Sequence, residues 1–293
     1  MSWFALGSYR AGAELRPALV LAPDRVHDLA ALWKGPLPDL VTLLTGHEEE
    51  LVRLAEAAAA RTDLPDHSAE LAEPYRPGRI FAAASNFVDH ADEMGTVLAA
   101  KADSQPYVFM KADSAVVGPG RDVVMPAGTR QLDWEVELAA VIGRGGRHIP
   151  AERALEHVAG YSILNDVSAR DLNMRDDFPF TFDWFRGKCF DTFAPFGPWV
   201  VPARFIRDPQ HVALRLAVNG QIMQDGKTNE MIFTLAEQIA YLSSILTLRP
   251  GDVIATGTPD GVGMGRGVYL SSGDVMRAEI DGIGVLENPV IQE

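Results

Sequence analysis

From Arg79 onward the chain is written as short apolar and β-branched runs cut by Gly and Pro: RIFAAAS, PYVFMKA, DWEVELAAVIG, GYSILNDVS, FGPWVV, VALRLAVNG, DVIATG and VMRAEIDGIGVLE. Runs this short, this often interrupted, fit strands. Two stretches among them read as helices. One covers about Pro150 to His157, with Pro at its start and Gly160 just past its end. The other begins at Thr234, where Glu237 completes a capping box; Leu235, Ile239, Leu242 and Leu246 follow helical spacing until Pro250-Gly251. Asp281-Gly282 between alternating residues marks a hairpin. Many strands and few helices predict a β-rich α+β fold, not a doubly wound parallel sheet.

Residues 1–76 have a different texture. WFALGSYR and RPALVLAPDRVHDL alternate like short strands, a helical stretch follows at roughly Leu40 to Ala60, and Pro65, Pro74 and Pro77 punctuate a polar linker. The expected division is a small N-terminal α/β module, 1–76, and a larger domain, 77–293.

The 293 residues are 47% hydrophobic, enough for a substantial core, and carry a formal charge of −14. That charge opposes a nucleic-acid backbone or an anionic membrane as partner. An anionic substrate then needs locally placed Lys or Arg. Cys189 is the only cysteine, so an intrachain disulfide or a cysteine metal cluster is excluded and a reducing compartment is expected. The start, MSWFALGSYRAG, lacks the basic and apolar regions of a secretory signal. No apolar run approaches the roughly 20 residues of a membrane span. A cytoplasmic protein is the expectation.

The chemistry-bearing residues begin with Glu135-Val-Glu137. Alternation along a strand puts both carboxylates on one face, beside the apolar run LAAVIG, where a bound cation would relieve their repulsion. A lone E-x-E is more often the solvated edge of a strand. Asp166 changes the balance, because it ends the apolar run GYSILND, which the Pro150–His157 helix can return beside Glu135. Three carboxylates without Cys or paired His form a hard oxygen site, suited to Mg²⁺, Mn²⁺ or Ca²⁺ rather than zinc. His90 and Glu93 lie one helical turn apart, an arrangement that makes imidazole a general base, although such pairs are commonplace on surfaces. Arg170 and Lys188 are cations that can meet a substrate carboxylate or balance the acidic cluster; alone, each reads as an ordinary surface charge. The tract TGTPDGVGMGRG, Thr256 to Gly267, satisfies neither G-x-G-x-x-G nor a phosphate-loop motif, which leaves a tight loop offering backbone N–H groups to an anion.

Taken in order, SNFVDHADE (85–93), YVFMKADSAVVGPG (107–120), LDWEVELAAVIGRGGR (132–147), VAGYSILNDVSARDLN (158–173), RGKCFDTFAPFGPWVV (186–201) and RPGDVIATGTPDGVG (249–263) resemble the fumarylacetoacetate hydrolase family over about residues 79 to 290. The resemblance implies a distorted β-roll, commonly a homodimer, often with a small N-terminal domain. It implies Glu135, Glu137 and Asp166 as ligands of Mg²⁺ or Mn²⁺, with Ca²⁺ as a substitute. It implies His90 and Glu93 as a water-activating dyad on a segment, about His90–Gly95, that orders over the substrate. Lys188 matches a lysine near the reacting oxygens. Arg170 and Thr258 match positions near the substrate carboxylate, and Asn173 stands where a longer Gln is frequent. Phe87 replaces a frequent Tyr, removing a hydroxyl near the dyad. The implied activity is cleavage of a C–C bond in a 2-oxo or diketo acid through a metal-stabilised enolate. Isomerisation, tautomerisation or decarboxylation of a 2-oxo acid are the alternatives, and a catalytically silent metal-binding protein is a third. DDFPFTFDWF (176–185) is unusually aromatic for its place and fits a substrate cover, a dimer contact or core packing.

Overall fold

A computed structural model describes residues 3–93, 95 and 99–293 of the chain. The fold is α+β and sheet-rich, as the run pattern predicts. Its largest sheet runs in the order Arg25–Asp28, Glu14–Ala22, Ala5–Ala11, Ala194–Pro202, Val158–Asn165, Val136–Ile142, Val253–Ala255, Ile80–Ala84, Tyr107–Lys111. A second sheet orders Gln221–Lys227, Ala213–Val218, Val275–Ile280, Gly284–Gln292 and Val123–Met125. Pairing is mostly antiparallel, but Val253–Ala255 runs parallel to Ile80–Ala84. The central strands are buried throughout, at every residue of Val136–Ile142 and Val158–Asn165. That is why their sequences read as continuous apolar runs rather than alternating ones.

The expected helices form with some changes of detail. Ala151–His157 winds as a 3₁₀ helix behind Pro150. Leu235–Ile245 starts at Thr234, whose hydroxyl accepts from Glu237 N while the Glu237 carboxylate accepts from Thr234 N, and it buries Leu235, Ile239 and Leu242. The single helical stretch expected at Leu40–Ala60 is two helices, Leu40–Gly46 and Glu48–Ala59, broken at His47. The Asp281-Gly282 turn joins Val275–Ile280 to Gly284–Gln292 with Gly282 at φ +77°, a conformation that suits glycine. Residues of the N-terminal stretch extend the large sheet: Ala5–Ala11 pairs with Ala194–Pro202 at Leu6↔Val200. No helix among the described residues is long and apolar enough to cross a membrane.

The register of the central strands decides where the chemistry gathers. Val136 pairs with Asn165 and Ala139 with Ala255, so the start of Val136–Ile142 meets the ends of its two neighbours. Glu135, Glu137, Asp166 and the Thr256–Gly267 tract therefore converge at one end of these central strands. Ile80–Ala84, parallel to Val253–Ala255, delivers the following segment to the same end.

Candidate active site

Ser85, in the left-handed region at φ +46°, turns the chain out of Ile80–Ala84 into the short helix Val88–Glu93. The turn is anchored by Asn86, whose side chain donates to Phe233 O at 2.9 Å and Thr256 O at 2.8 Å and accepts from Phe233 N at 2.9 Å. Phe87 is wholly buried and bridges Met231, so it acts as an apolar plug where a tyrosine hydroxyl is frequent. The helix presents His90 to a cavity of about 370 Å³ that is also lined by Glu135, Arg170, Asn173, Lys188 and Thr258. Six of the nine expected site residues thus face one space.

Glu137, Asp166 and Glu93 stand just behind that lining. One carboxylate oxygen each from Glu135, Glu137 and Asp166 lies within 4.8 Å of the others, and all three residues are buried. Burial, then the negative charges of Asp166 and Glu135, push the Glu137 carboxyl well above its usual range. Glu137 nevertheless accepts from Gly257 N at 2.7 Å. Glu135 moves the other way: burial opposes its charge, but Arg170 and Lys188 outweigh burial and hold it ionised. A buried set of three hard oxygen donors whose members repel one another fits a divalent cation.

The surrounding cations are committed to these acids. Lys188 Nζ donates to Glu135 Oε2 at 2.8 Å and to Asp166 Oδ2 at 2.5 Å. Burial opposes the Lys188 charge, yet Asp166 and Glu135 raise its ammonium above the usual lysine value. Arg170 Nε donates to Asp133 Oδ2 at 2.8 Å, and its Nη2 is paired with Glu135. Two residues of this network escape the sequence pattern. Asp133 is fully buried and also accepts from Gly263 N at 2.6 Å and Met264 N at 3.0 Å. Lys111, with an inaccessible side chain, pairs with Asp166 and donates to Val167 O at 3.3 Å. Burial lowers the Lys111 ammonium against the pull of Asp166. With every group ionised, Asp133, Glu135, Glu137 and Asp166 exceed Lys111, Arg170 and Lys188 by one negative charge.

The glycine-rich tract differs from its expected use. Its N–H groups go to the protein's own carboxylates: Gly257 to Glu137, Gly263 to Asp133, and Gly261 to both oxygens of Glu93 at 3.1 and 3.0 Å. Thr258 donates to Val136 O at 2.9 Å and accepts from Gln224 Nε2 at 2.8 Å, so its hydroxyl is occupied within the fold. His90 Nδ1 faces Glu93 Oε2 at 3.6 Å, close enough for charge attraction but longer than a hydrogen bond, and is buried with no hydrogen-bond partner. Burial raises the Glu93 carboxyl, but His90 and the Gly261 N–H outweigh it and leave it below its usual range. The segment expected to order over the site, about His90–Gly95, includes Met94, which lies outside the described residues.

Asn173 reaches the cavity with its Oδ1 buried and unpartnered. Its amide packs directly over Gly187, where any Cβ would fall 1.6 Å from Oδ1. Glu93 rests in the same way on Gly265, where a Cβ would meet its carboxylate carbon at 2.3 Å. Gly265 is exposed, with ordinary helical backbone, so Gly265→Ala is expected to preserve the fold. The new methyl displaces Glu93 from Gly261 N and from His90. Turnover should fall by roughly tenfold or more, as misplaced catalytic groups do, with little change in melting temperature; unchanged turnover would separate Glu93 from the chemistry.

The aromatic stretch 176–185 is not core: Phe178, Phe180, Phe182 and Phe185 are all exposed. It forms the tip and return of a hairpin in which Arg175 N donates to Thr181 O at 2.9 Å and Asp183 N to Asn173 O at 2.8 Å. Phe182 and Trp184 line the cavity.

Residues 79–291 match the family model described as "Fumarylacetoacetate (FAA) hydrolase C-terminal". The chain is 43% identical to the human mitochondrial oxaloacetate tautomerase over 223 residues, which is 75% of this chain and 69% of the relative. A maleylpyruvate hydrolase from Sphingobium sp. SYK-6, solved with manganese(II) and pyruvate, is 31% identical with a TM-score of 0.76, covering 98% of this chain and 99% of that one. A 5-carboxymethyl-2-hydroxymuconate delta-isomerase from Mycobacterium smegmatis is 32% identical with a TM-score of 0.73, covering 99% of each chain. Hydrolases, isomerases and tautomerases thus share this fold, and the chain belongs to the fumarylacetoacetate hydrolase family.

Proposed function

We propose that the protein is a divalent-metal-dependent hydrolase that cleaves the C3–C4 bond of an acylpyruvate-like 2-oxo acid. The observation that carries this is the position of His90: backed by Glu93, it shares one cavity with Glu135 and Lys188. Glu135, Glu137 and Asp166 would hold Mg²⁺ or Mn²⁺, which supplies Lewis-acid stabilisation of negative charge on the 2-oxo acid oxygens. The charge balance supports this assignment: with all seven groups ionised, a divalent ion would turn the local excess of one negative charge into one positive, which a substrate carboxylate would neutralise. The manganese and pyruvate in the maleylpyruvate hydrolase support it independently.

The chain's own groups then divide the work. Glu93 steadies the Nδ1–H tautomer of His90 and leaves Nε2 as the base. Nε2 removes a proton from water, which attacks C4; the C3–C4 bond breaks, its electron pair passes toward C3, and the imidazolium returns a proton there. The products are a carboxylic acid and pyruvate. Lys188 stabilises the oxyanion that develops on the attacked carbonyl. Arg170 aligns Glu135, and Asn173, with its unpaired Oδ1, supplies a hydrogen-bonding group to the substrate's polar end.

A second reading, oxaloacetate tautomerisation, is favoured by the 43% identity to the human tautomerase. It uses the same base to move a proton between C3 and the enol oxygen, with no attacking water. Incubating the Mn²⁺-loaded protein with acetylpyruvate and, separately, with enol-oxaloacetate decides between them. Release of acetate and pyruvate is the expected result. Enol-to-keto conversion without any C–C cleavage would replace the hydrolase by the tautomerase.

A further inference from the structure

We infer that a second chamber beside the catalytic cavity receives the acyl tail of the substrate and selects an uncharged, apolar tail, aryl or alkyl, over a carboxylated one. The inference rests on the 2-oxo acid reading of the first cavity and names the substrate class within it.

The chamber has a volume of about 390 Å³ and shares Ala84, Ser85, Phe182 and Trp184 with the catalytic cavity. The two spaces therefore adjoin across a sill made by Ala84, Ser85, Phe182 and Trp184. A four-carbon acid occupies only a small part of the first; the second offers room for a much larger substituent. Its walls beyond the sill include Tyr107, Ile232 and Phe233.

These aromatic groups are held in place from the catalytic side. Trp184 opens the helix Trp184–Lys188, one turn before Lys188, so the two side chains lie on the same helical face. The Trp184 ring packs edge-on against Phe109 at 4.8 Å and tilts against Tyr107 at 5.3 Å. Phe109 in turn lies 4.9 Å from Lys188 Nζ. An aromatic chain thus runs from the acid cluster into the second chamber. Phe182 is fixed by its bridge to Met174 on the hairpin that begins at Asn173. Yet Tyr107 remains 65% exposed and Phe182 62% exposed. Large aromatics held at the mouth of a catalytic cavity and left uncovered mark a surface for apolar contact.

Charge sets the selectivity. Lys101 is the one cation lining this chamber among the described residues. Its Nζ lies 2.9 Å from Glu237 Oε2 and 5.6 Å over the Phe233 ring, so its charge is already matched. Apart from Lys101, its polar lining is the neutral Ser85, Ser104 and Gln105, so a second carboxylate on the tail would enter a mostly apolar space beside Glu237 with no unmatched cation to meet it.

Binding calorimetry on the Mn²⁺-loaded protein with pyruvate, 4-phenyl-2-oxobutanoate and 2-oxoadipate tests this without requiring turnover. The phenyl-tailed acid should bind tighter than pyruvate by roughly tenfold or more, the worth of a partly buried ring. 2-Oxoadipate should gain nothing over pyruvate. Tyr107→Ala should erase most of the phenyl advantage while the pyruvate affinity holds, and Tyr107→Phe should retain it. If the phenyl acid binds no better than pyruvate, the tail chamber is overturned and the 2-oxo acid site stands. If 2-oxoadipate binds as tightly as the phenyl acid, the apolar selectivity is overturned. Absence of binding by all three removes the 2-oxo acid reading, and this inference with it.

Discussion

Glu137→Gln is expected to abolish both turnover and the rise in melting temperature that Mn²⁺ gives the native protein, while leaving the ion-free protein as stable as before or more so. Glutamine is the informative substitution. Alanine would leave Gly257 N–H buried without an acceptor, a loss of about 1–3 kcal/mol that would blur the result. Gln keeps an oxygen for Gly257 N, whose bond to Glu137 is 2.7 Å, and removes only the charge. In the native protein, ion at a hundredfold excess over its dissociation constant adds about 2.7 kcal/mol to stability. The variant should lose nearly all of it. The ion-free proteins should also differ in pH dependence. Burial, Asp166 and Glu135 raise the Glu137 carboxyl in the fold above its unfolded value. The folded protein therefore holds a proton that the unfolded chain releases. That contribution is fully present below about pH 4.3, the unperturbed Glu value, and is lost as pH rises through the elevated folded value. Gln does not titrate, so its stability profile should be flatter across that window. A full metal-induced shift in Glu137→Gln would exclude this carboxylate as a ligand.

The same carboxylates show how much of the site was legible beforehand. Alternation placed Glu135 and Glu137 on one face, and the apolar run before Asp166 implied a neighbouring strand; the Val136↔Asn165 register brings them together. The strand runs, the Thr234 capping box and the Asp281-Gly282 hairpin were equally readable, because each is a local pattern. What escaped depends on partners distant in sequence. Lys111 reads as the end of an amphipathic strand, and nothing near it in sequence announces Asp166, 55 residues away. Asp133 likewise gains its meaning from Arg170 and from Gly263. The glycine tract was recognisable as a tight loop, but not that its N–H groups serve Glu137, Glu93 and Asp133. In the N-terminal stretch, helical periodicity was continuous across His47, and only packing reveals the break. Leu6↔Val200 pairing has no sequence signature at all, since alternation specifies a buried face and not the neighbour that covers it.

His90→Ala should separate the chemistry from the binding that supports it. Removing a positioned base lowers turnover by a factor on the order of 10²–10⁴. Acylpyruvate cleavage should fall by that much, because no other imidazole lines the cavity among the described residues. Oxalate, a non-reactive mimic of the 2-oxo acid end, should bind the Mn²⁺-loaded variant as it binds the native protein. Glu135, Glu137, Asp166 and Lys188 are untouched by the substitution, and their mutual contacts do not pass through His90. Loss of oxalate binding would mean that His90 holds the site's shape rather than acting as its base. A second readout adds the remaining discrimination. If water attack is the step His90 serves, cleavage should collapse while exchange of the substrate's C3 hydrogens with D₂O, followed by NMR, persists at a measurable rate. If His90 instead moves the C3 proton itself, exchange should collapse together with turnover, and the assignment shifts to tautomerisation. Full activity of the variant on acetylpyruvate and on enol-oxaloacetate would remove the His90–Glu93 pair from the mechanism and leave the acidic cluster as the catalytic element.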